Sequence, residues 1–477
     1  MGTETLRSHS IIAIVLVTAL LGCSEESKLS THSVEAVRAY QQGVSLWQKF
    51  YYSEAKEALE RALEADSTFA MAWGRLAMLN EGTRNETKAR EDISQALRYS
   101  TAATLKEQLF VRLWDHRIHY RRKESIAVAD SLTDLFPEDP ETFLVRGNLY
   151  EASKDYDGAI RAYRKAATID TSFAIAVMSL GYAYSTQGEH EKALASMERY
   201  IRLAPDAADP RASYADLLLR LGRYEDALKQ YTKALQLKPD YWYAILKVGE
   251  IYDIKGRLKD AEKEYHRGFE ALPRSEQSEA TYLATDAGLN LRRGKFAEAA
   301  RQYAKALAID SVFGGAAFGL VQARIKLKDF KDIDQLVDRI KRVFETRNLT
   351  ESPVMQSFYS MKARVFTAQG DLQRALEACD NALEYSSPFS RGSVYRQIAE
   401  IRLKGASYES AIDACEESLR ANPNSPESLL TLLKIYRAKG DRRMTNEIGT
   451  RLLDFWSDAD SDFQNLIEVK KLLGIPS

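Results

Sequence analysis

Residues 159–205 read AIRAYRKAATIDTSFAIAVMSLGYAYSTQGEHEKALASMERYIRLAP, and one spacing within this stretch decides the fold. Ala159 is followed by Tyr163 and Ala166, which lie four and seven residues further along. This spacing places the three side chains on one face of an α-helix. The same pattern starts again at Ala193, 34 residues later, so the stretch holds two copies of one helical unit.

The small residue that opens this pattern recurs along most of the chain. The series is Ala55, Ala89, Ala159, Ala193, Ala227, Ala261, Ala299, Ala375 and Ala411. Its intervals are 34, 70, 34, 34, 34, 38, 76 and 36 residues, so nearly all are one or two periods of a 34-residue unit. A period of this length is typical of stacked helical hairpins.

A second signature precedes each of these helices at a fixed distance. It pairs small and large residues, as in Trp73-x-x-Leu76-Ala77, Gly147-x-x-Tyr150, Leu180-Gly181-x-x-Tyr184 and Gly249-x-x-Tyr252. The small residues let two antiparallel helices approach closely, and glycines at positions 188, 222, 256 and 370 predict the turns between them. The chain resembles the tetratricopeptide repeat family over residues 34–457. The resemblance implies an all-α fold, an α-solenoid of about 12 antiparallel helical hairpins with a C-terminal capping helix.

The two double intervals predict two degenerate units. The first lies near residues 104–137 and carries Val128, Leu132 and Leu135 at the core spacing; the second uses Ile333, Val337 and Ile340. We expect an N-terminal array at 34–345, a link at 346–355 where the stack bends or divides, C-terminal units at 356–457 and the capping helix within 458–477.

The first residues differ from the rest. The apolar run of residues 11–21 is too short to span a bilayer, which predicts a signal peptide at residues 1–22. The run ends in Leu20-Leu21-Gly22-Cys23, which resembles the lipobox of bacterial lipoproteins. That resemblance implies lipidation of Cys23, a polar tether at residues 23–33 and a place in the bacterial cell envelope, with Ser24 favouring the outer membrane. An ordinary signal peptide followed by a cysteine by chance remains the alternative.

Composition excludes several classes of function. The 67 basic and 68 acidic residues balance, which disfavours a nucleic-acid partner. No phosphate-binding loop, nucleophile elbow or paired zinc ligands occur in the sequence, so we predict neither an enzyme nor a bound cofactor. Asp115, His116 and His119 lack a third strong ligand at metal spacing and stand among basic residues, so we predict no metal site. Cys379 and Cys415 occupy equivalent positions on neighbouring helices, and we expect two buried thiols.

In the family, a ligand lies in a concave groove lined by the first helices. Carried onto this chain, the ninth repeat position holds Asn148, Tyr182, Asp216 and Glu250. The other groove candidates are Met178, Arg220, Tyr243, Leu246 and Asp253. This mixture suits an extended peptide or helix of some basic character. The alternative is that each is an ordinary solvated residue of a helix face.

Two functions from different classes follow. The first is a lipid-anchored scaffold or assembly factor that binds segments of other proteins in the cell envelope. The second is glycan handling, as an accessory of cell-wall or polysaccharide export, with rings such as Tyr182 and Tyr243 stacking on sugars. The sequence selects no particular partner or envelope pathway.

Overall fold

The computed structural model describes residues 29–82, 85–272, 275–346, 354–388 and 390–476. Every regular element within these ranges is an α-helix. The signal peptide, Cys23 and the first part of the tether lie outside the described residues. The chain divides after Phe173 into two compact units.

The first unit contains four helical hairpins, which we number 1 to 4 in chain order. Its helices are α1 (Val34–Gln48), α2 (Tyr52–Ala65), α3 (Ala70–Gly82), α4 (Glu86–Ser100), α5 (Leu105–Ile118), α6 (Arg122–Leu135), α7 (Pro140–Ala152) and α8 (Tyr156–Ile169). Each odd-numbered helix packs against the even-numbered helix that follows it.

The second unit contains hairpins 5 to 12 and one further helix. The helices of hairpins 5 to 8 are α9 (Ala174–Thr186), α10 (His190–Leu203), α11 (Asp209–Arg220), α12 (Tyr224–Leu237), α13 (Trp242–Ile254), α14 (Leu258–Ala271), α15 (Glu276–Arg292) and α16 (Phe296–Ile309). Those of hairpins 9 to 12, with the final helix, are α17 (Gly314–Lys326), α18 (Ile333–Thr346), α19 (Val354–Gln369), α20 (Leu372–Glu384), α21 (Arg391–Lys404), α22 (Tyr408–Ala421), α23 (Pro426–Lys439), α24 (Arg442–Phe455) and α25 (Gln464–Leu473). Within the described residues the predicted fold class, 12 hairpins and a last helix, is therefore confirmed.

The recurring alanines form the seam of every regular hairpin. All nine members of the series, from Ala55 to Ala411, are at most 1% exposed. Facing them, Gly249 leaves room for a ring, because a Cβ placed there would lie 2.8 Å from the side chain of Tyr265. A side chain at this position would push the two helices apart, which is why small residues recur in step.

Local signals set the ends of the helices. The four predicted turn glycines, at positions 188, 222, 256 and 370, all have φ between 69° and 88°, a region that residues with a Cβ rarely enter. Several second helices begin with a side-chain cap; the carboxylate of Asp155, for example, accepts from the backbone N–H of Gly158 at 2.9 Å. These caps and glycines hold each hairpin to a short turn.

Hairpin 3 corrects one prediction. Its core positions on α6 are Ser125, Ala129 and Leu132, all at most 1% exposed, whereas the predicted core residue Leu135 is 55% exposed. Ser125 stands 36 residues after Ala89 and 34 before Ala159, so the repeat is unbroken. A serine replaces the alanine, and its hydroxyl donates to the carbonyl of Arg121 at 3.0 Å, which satisfies it inside the seam.

Hairpin 9 follows the prediction more closely. Ile333, Val337 and Ile340 are buried in α18, with the expected helical spacing. Of the predicted link at 346–355, residues 347–353 lie outside the described residues, so its role stays a prediction. Helices α17 and α19, the first helices of hairpins 9 and 10, pack against each other within the second unit.

Part of the predicted tether is packed against the first unit. The backbone N–H of Ser30 donates to the carboxylate of Glu107 on α5 at 3.0 Å, and the Thr31 hydroxyl donates to Asp66. Ser33 caps α1 by accepting from the N–H of Ala36. The segment from Ser30 onward is therefore part of the folded body.

The end of the chain packs back onto an earlier hairpin of the same unit. The indole N–H of Trp456 donates to the carbonyl of Ile254 at 2.9 Å, and the N–H of Asp460 donates to the carbonyl of Gly256 at the same distance. Phe463 lies against Gly256, and α25 covers α24 with its buried Leu466 and Val469. The last helices of this unit therefore pack against hairpin 7 as well as against each other.

Candidate functional site

The first helices of hairpins 5 to 7 carry most of the predicted groove residues. At the ninth repeat position of hairpins 5, 6 and 7, the described structure places Tyr182, Asp216 and Glu250. Their environments differ: Asp216 is 9% exposed, Tyr182 is half-buried, and the Glu250 side chain is 43% exposed. Sequence spacing therefore identified positions on one surface without distinguishing which of them are accessible.

Asp216 is the centre of a cluster of tyrosines. Its carboxylate accepts hydrogen bonds from Tyr182 at 3.2 Å, from Tyr243 at 2.8 and 2.9 Å, and from Tyr231. Burial raises the pKa of Asp216, although the hydroxyls of Tyr231 and Tyr243 partly offset that effect. The cluster ties hairpins 5, 6 and 7 together, so three predicted groove residues contact one another.

A second buried carboxylate lies at the start of α11. Asp209 accepts from Tyr200 at 2.9 Å, from Tyr241 at 3.0 Å and from Ser213 at 3.3 Å. Burial raises its pKa to about 6, against the opposing effect of these hydroxyls. Sequence reasoning missed Asp209, because the Asp-Pro pair at the beginning of a helix reads as an ordinary helix start.

The remaining acidic candidates are also paired within the chain. The Lys247 ammonium lies 2.7 Å from the Glu250 carboxylate, and Arg292 lies 2.7 Å from Asp253. Asp253 raises the pKa of Arg292, which shows how closely the two charges are coupled. The acids at this surface therefore already have hydrogen-bonding or cationic neighbours.

The other predicted residues fall into three environments. Met178 is buried, and Leu246 packs beside Gly268 in the seam of hairpin 7. Arg220 is exposed, with its guanidinium 5.7 Å from the ring centre of Tyr182. Asn148 belongs to the first unit, where its side-chain oxygen accepts from the hydroxyl of Tyr163 at 2.8 Å.

The first unit has its own charged cavity, of about 350 Å³. Arg75 on α3 is 8% exposed and forms an ion pair with Glu141, and its guanidinium lies 4.9 Å from the Trp114 ring centre. Its Nε donates to the Tyr40 hydroxyl at 3.3 Å. Its charge is therefore fully compensated inside the protein, which assigns Arg75 a structural role.

The histidines of hairpin 3 surround one carboxylate. Asp115 lies 3.0 Å from the Nδ1 of His119 and contacts Arg121 as well. No group of His, Cys, Asp and Glu side chains suited to a metal ion occurs among the residues that the structure describes. Cys379 and Cys415 are buried free thiols, as expected, and burial raises the pKa of each to about 12.

The spacing rule also identifies two positions that sequence analysis left out. The ninth position precedes each repeat alanine by 11 residues, as Asp216 precedes Ala227. Counted back from Ala375 and Ala411, the same rule gives Arg364 and Glu400. The repeat pattern of hairpins 10 and 11 therefore already contained this signal, and it places a cation at one of the two positions and a carboxylate at the other.

A stack of helical hairpins with a polar inner surface defines a helical-repeat protein of the kind that binds other proteins. Family models described as tetratricopeptide repeat match residues 38–69, 121–172, 174–207, 215–275 and 360–426, together about half of the chain. The chain belongs to the tetratricopeptide repeat family, and this fold supports a role as a scaffold for protein–protein interaction.

Individual relatives share parts of this architecture. A stretch of 79 residues is 42% identical to the anaphase-promoting complex subunit CDC27 of Saccharomyces cerevisiae, and it covers 17% of this chain and 9% of that protein. A solved tetratricopeptide repeat protein of Parabacteroides merdae is 16% identical, with 55% of this chain and 98% of that one covered and a TM-score of 0.43. The human IFIT1 dimer with m7Gppp-AAAA is 15% identical over 81% of this chain and 90% of its own, with a TM-score of 0.46.

No helix in the described part of the chain is both long enough and apolar enough to cross a bilayer.

Proposed function

We propose that this protein is a lipid-anchored scaffold of the bacterial cell envelope, which binds segments of partner proteins along the first helices of its hairpins. The observation that carries the binding role is the repeat itself, because the ninth positions of successive hairpins bring polar and aromatic side chains to one surface. The anchoring role is supported by the sequence Leu20-Leu21-Gly22-Cys23 alone.

The tyrosine–aspartate cluster suits such a surface. Binding of a partner is tighter when the receiving residues are already held in place, since less side-chain entropy is lost on association. The rings of Tyr182 and Tyr243 are fixed by hydrogen bonds to Asp216, and Arg220 and Glu250 stand beside them with exposed charge. We infer that the cluster supports the surface and that the exposed residues contact the partner.

The glycan alternative needs aromatic faces open to a sugar ring. Tyr182 and Tyr243 are half-buried, and cationic side chains lie over both rings: Arg220 at 5.7 Å and Lys247 at 5.8 Å from the ring centres. This arrangement favours a protein partner over a glycan. Isothermal titration with soluble glycans, beside binding to a peptide array, separates the two.

Crosslinking in cells tests the binding surface. A photo-reactive amino acid replaces Glu250 or Arg220 on the proposed surface, or the exposed Lys229 on a second helix as the matched control. We expect discrete partner proteins to be captured from Glu250 and Arg220 and not from Lys229. Capture of the same abundant proteins from all three positions would contradict the groove assignment.

Detergent partitioning tests the anchor separately. We expect the wild-type protein in the detergent phase and the Cys23→Ala variant in the aqueous phase, because one acylated residue carries the membrane affinity. The matched control is Cys415→Ala, which removes a buried thiol and leaves the partitioning unchanged. A Cys23→Ala protein that stays in the detergent phase would rule out lipidation at this residue.

A further inference from the structure

The inner surface of hairpins 9, 10 and 11 contains a cavity of about 230 Å³, which we call the hairpin 9–11 pocket. Its charged lining residues are Lys326 from α17, Arg364 from α19, and Glu400 and Lys404 from α21. Each comes from a first helix, so the pocket lies on the same kind of surface as the predicted groove. Three cations and one carboxylate give it a net positive charge.

Arg364 is a mostly buried cation of this pocket and is only weakly paired. Its side chain is 21% exposed, and its Nη1 lies 3.8 Å from the Glu400 carboxylate, which is beyond hydrogen-bond distance. Among the described residues no acceptor forms a hydrogen bond with this guanidinium, and its Nε is buried without a partner. Burial lowers the pKa of Arg364 in spite of the attraction of Glu400, so the fold holds this cation at a cost.

Glu400 is shared among several cations. Arg396 lies 3.0 Å from its carboxylate, and Arg364 and Lys434 also face it. Burial alone would raise the pKa of Glu400, yet Arg396, Arg364 and Lys434 together hold that pKa below its usual value. Because Lys434 is itself paired with Glu468 at 2.9 Å, Glu400 compensates mainly Arg396 and Arg364, and one carboxylate against two cations leaves an excess of positive charge at this surface.

The shape of the site restricts what can supply the missing negative charge. One face of the Arg364 guanidinium is covered by the Phe318 ring, whose centre lies 5.0 Å away, so a ligand must approach its edge. A planar carboxylate fits the edge of a guanidinium through two parallel hydrogen bonds. Lys326 is exposed at the rim and has no carboxylate within ion-pair distance among the described residues. Lys404, also at the rim, donates to the carbonyl of Thr367.

We propose that the hairpin 9–11 pocket binds an aspartate or glutamate side chain from an extended acidic segment of the partner protein, with Arg364 as the anchor and Lys326 and Lys404 beside it. This proposal rests on the proposed function, since it assigns the partner's chemistry to one part of the binding surface. A protein segment is favoured over a nucleic acid, because the pocket takes one small acidic group and the chain carries a net charge of −1.

The test uses the full chain and a fluorescent twelve-residue peptide in which glutamate alternates with serine. A matched peptide carries glutamine in place of glutamate. We expect the glutamate peptide to bind, with an affinity that falls as sodium chloride rises from 50 to 300 mM, and the glutamine peptide to bind at least about tenfold more weakly. Equal binding of the two peptides, or no binding of either, would overturn the acidic-segment proposal.

Three variants locate the site. Arg364→Gln should weaken the glutamate peptide about tenfold or more, whereas Arg301→Gln, on the exposed face of α16, should leave the affinity unchanged. Glu400→Gln removes the only carboxylate of the pocket and should tighten binding two- to threefold, a gain that misfolding cannot produce. Arg364→Gln with wild-type affinity would overturn the proposal.

A single-stranded oligonucleotide of twelve nucleotides tests whether the pocket prefers phosphate to carboxylate. We expect the affinity for this oligonucleotide to be the same in the wild type and in Arg364→Gln. If the oligonucleotide binds more tightly than the peptide and Arg364→Gln loses that binding, the pocket binds phosphate and the proposal is overturned. If these binding tests fail while crosslinking from Glu250 succeeds, the scaffold function is retained and only the proposal of an acidic partner segment is rejected.

Discussion

Two regions on the inner surface of the second unit differ in how their buried charged side chains are compensated. In hairpins 5 to 7 the buried carboxylates of Asp209 and Asp216 each accept hydrogen bonds from three hydroxyls of the chain itself. In hairpins 9 to 11 the guanidinium of Arg364 has no hydrogen-bond acceptor among the described residues. A polar residue at a groove position can therefore be a structural support or a binding group. Whether neighbouring side chains already satisfy its charge indicates which of the two roles it has.

The largest expected effect on the free energy of unfolding comes from replacing Asp216. The change Asp216→Leu leaves buried tyrosine hydroxyls without their acceptor, so we expect a loss of about 3–5 kcal/mol in the free energy of unfolding. Urea denaturation of the full chain measures it, with Asp226→Ala as a control, because Asp226 has a 52% exposed side chain and a local partner in Arg223. If the two variants lose the same stability, the cluster does not hold the hairpins together.

The next effect is the pH dependence that Asp209 imposes. Its folded pKa of about 6 lies above its ordinary value, so the folded state binds more protons than the unfolded state. Stability should therefore fall as the pH rises from about 4 to about 6, by up to about 3 kcal/mol for this group. Other acids titrate as well, so the measured quantity is the difference between the wild type and Asp209→Asn across pH 4 to 7. A constant difference would contradict the buried state of Asp209.

A smaller effect should follow from Tyr243→Phe. This change removes one hydroxyl from Asp216 and keeps the ring, and Tyr231 and Tyr182 continue to donate to the carboxylate. We expect a loss of about 1 kcal/mol in the free energy of unfolding. Thermal denaturation measures it beside Tyr282→Phe, whose ring is 36% exposed and whose loss should be smaller still.

The smallest effect on stability should come from Arg364→Gln. Because burial disfavours this cation and no described acceptor satisfies it, its removal should change the free energy of unfolding by less than about 1 kcal/mol. The same variant is expected to have the largest effect on binding. A loss of stability comparable with that of Asp216→Leu would make Arg364 a structural residue and remove the contrast between the two regions.

The fold could be predicted from the sequence because its main constraint is local and periodic. A buried seam position about every 34 residues favours alanine and a turn with positive φ favours glycine, so most repeats show both residues in the sequence. The seam of hairpin 3 was not recognised in the sequence, because a serine that hydrogen-bonds to its own helix stands in place of the alanine. Leu135 was placed in the core by its type, although its side chain lies outside the seam.

The site was less predictable for a physical reason. Spacing placed Asp216 and Tyr182 on one surface, but the hydroxyl of Tyr231 reaches Asp216 from the seam, where a tyrosine reads as an apolar filler. Whether a carboxylate is compensated depends on such contacts between helices, which no spacing along the chain records. The charge of Arg364 was visible in the sequence, and its lack of a partner became visible only in the structure.

Hydrogen–deuterium exchange with the glutamate–serine peptide is the decisive measurement for the hairpin 9–11 pocket, since it reports which helices a ligand covers. We expect slower exchange on binding in α17, α19 and α21, the first helices of hairpins 9 to 11. We expect no change in their partners α18, α20 and α22 or in the tyrosine–aspartate cluster of hairpins 5 to 7. Protection that falls on the second helices, or equally on hairpins 5 to 7, would contradict binding at Arg364.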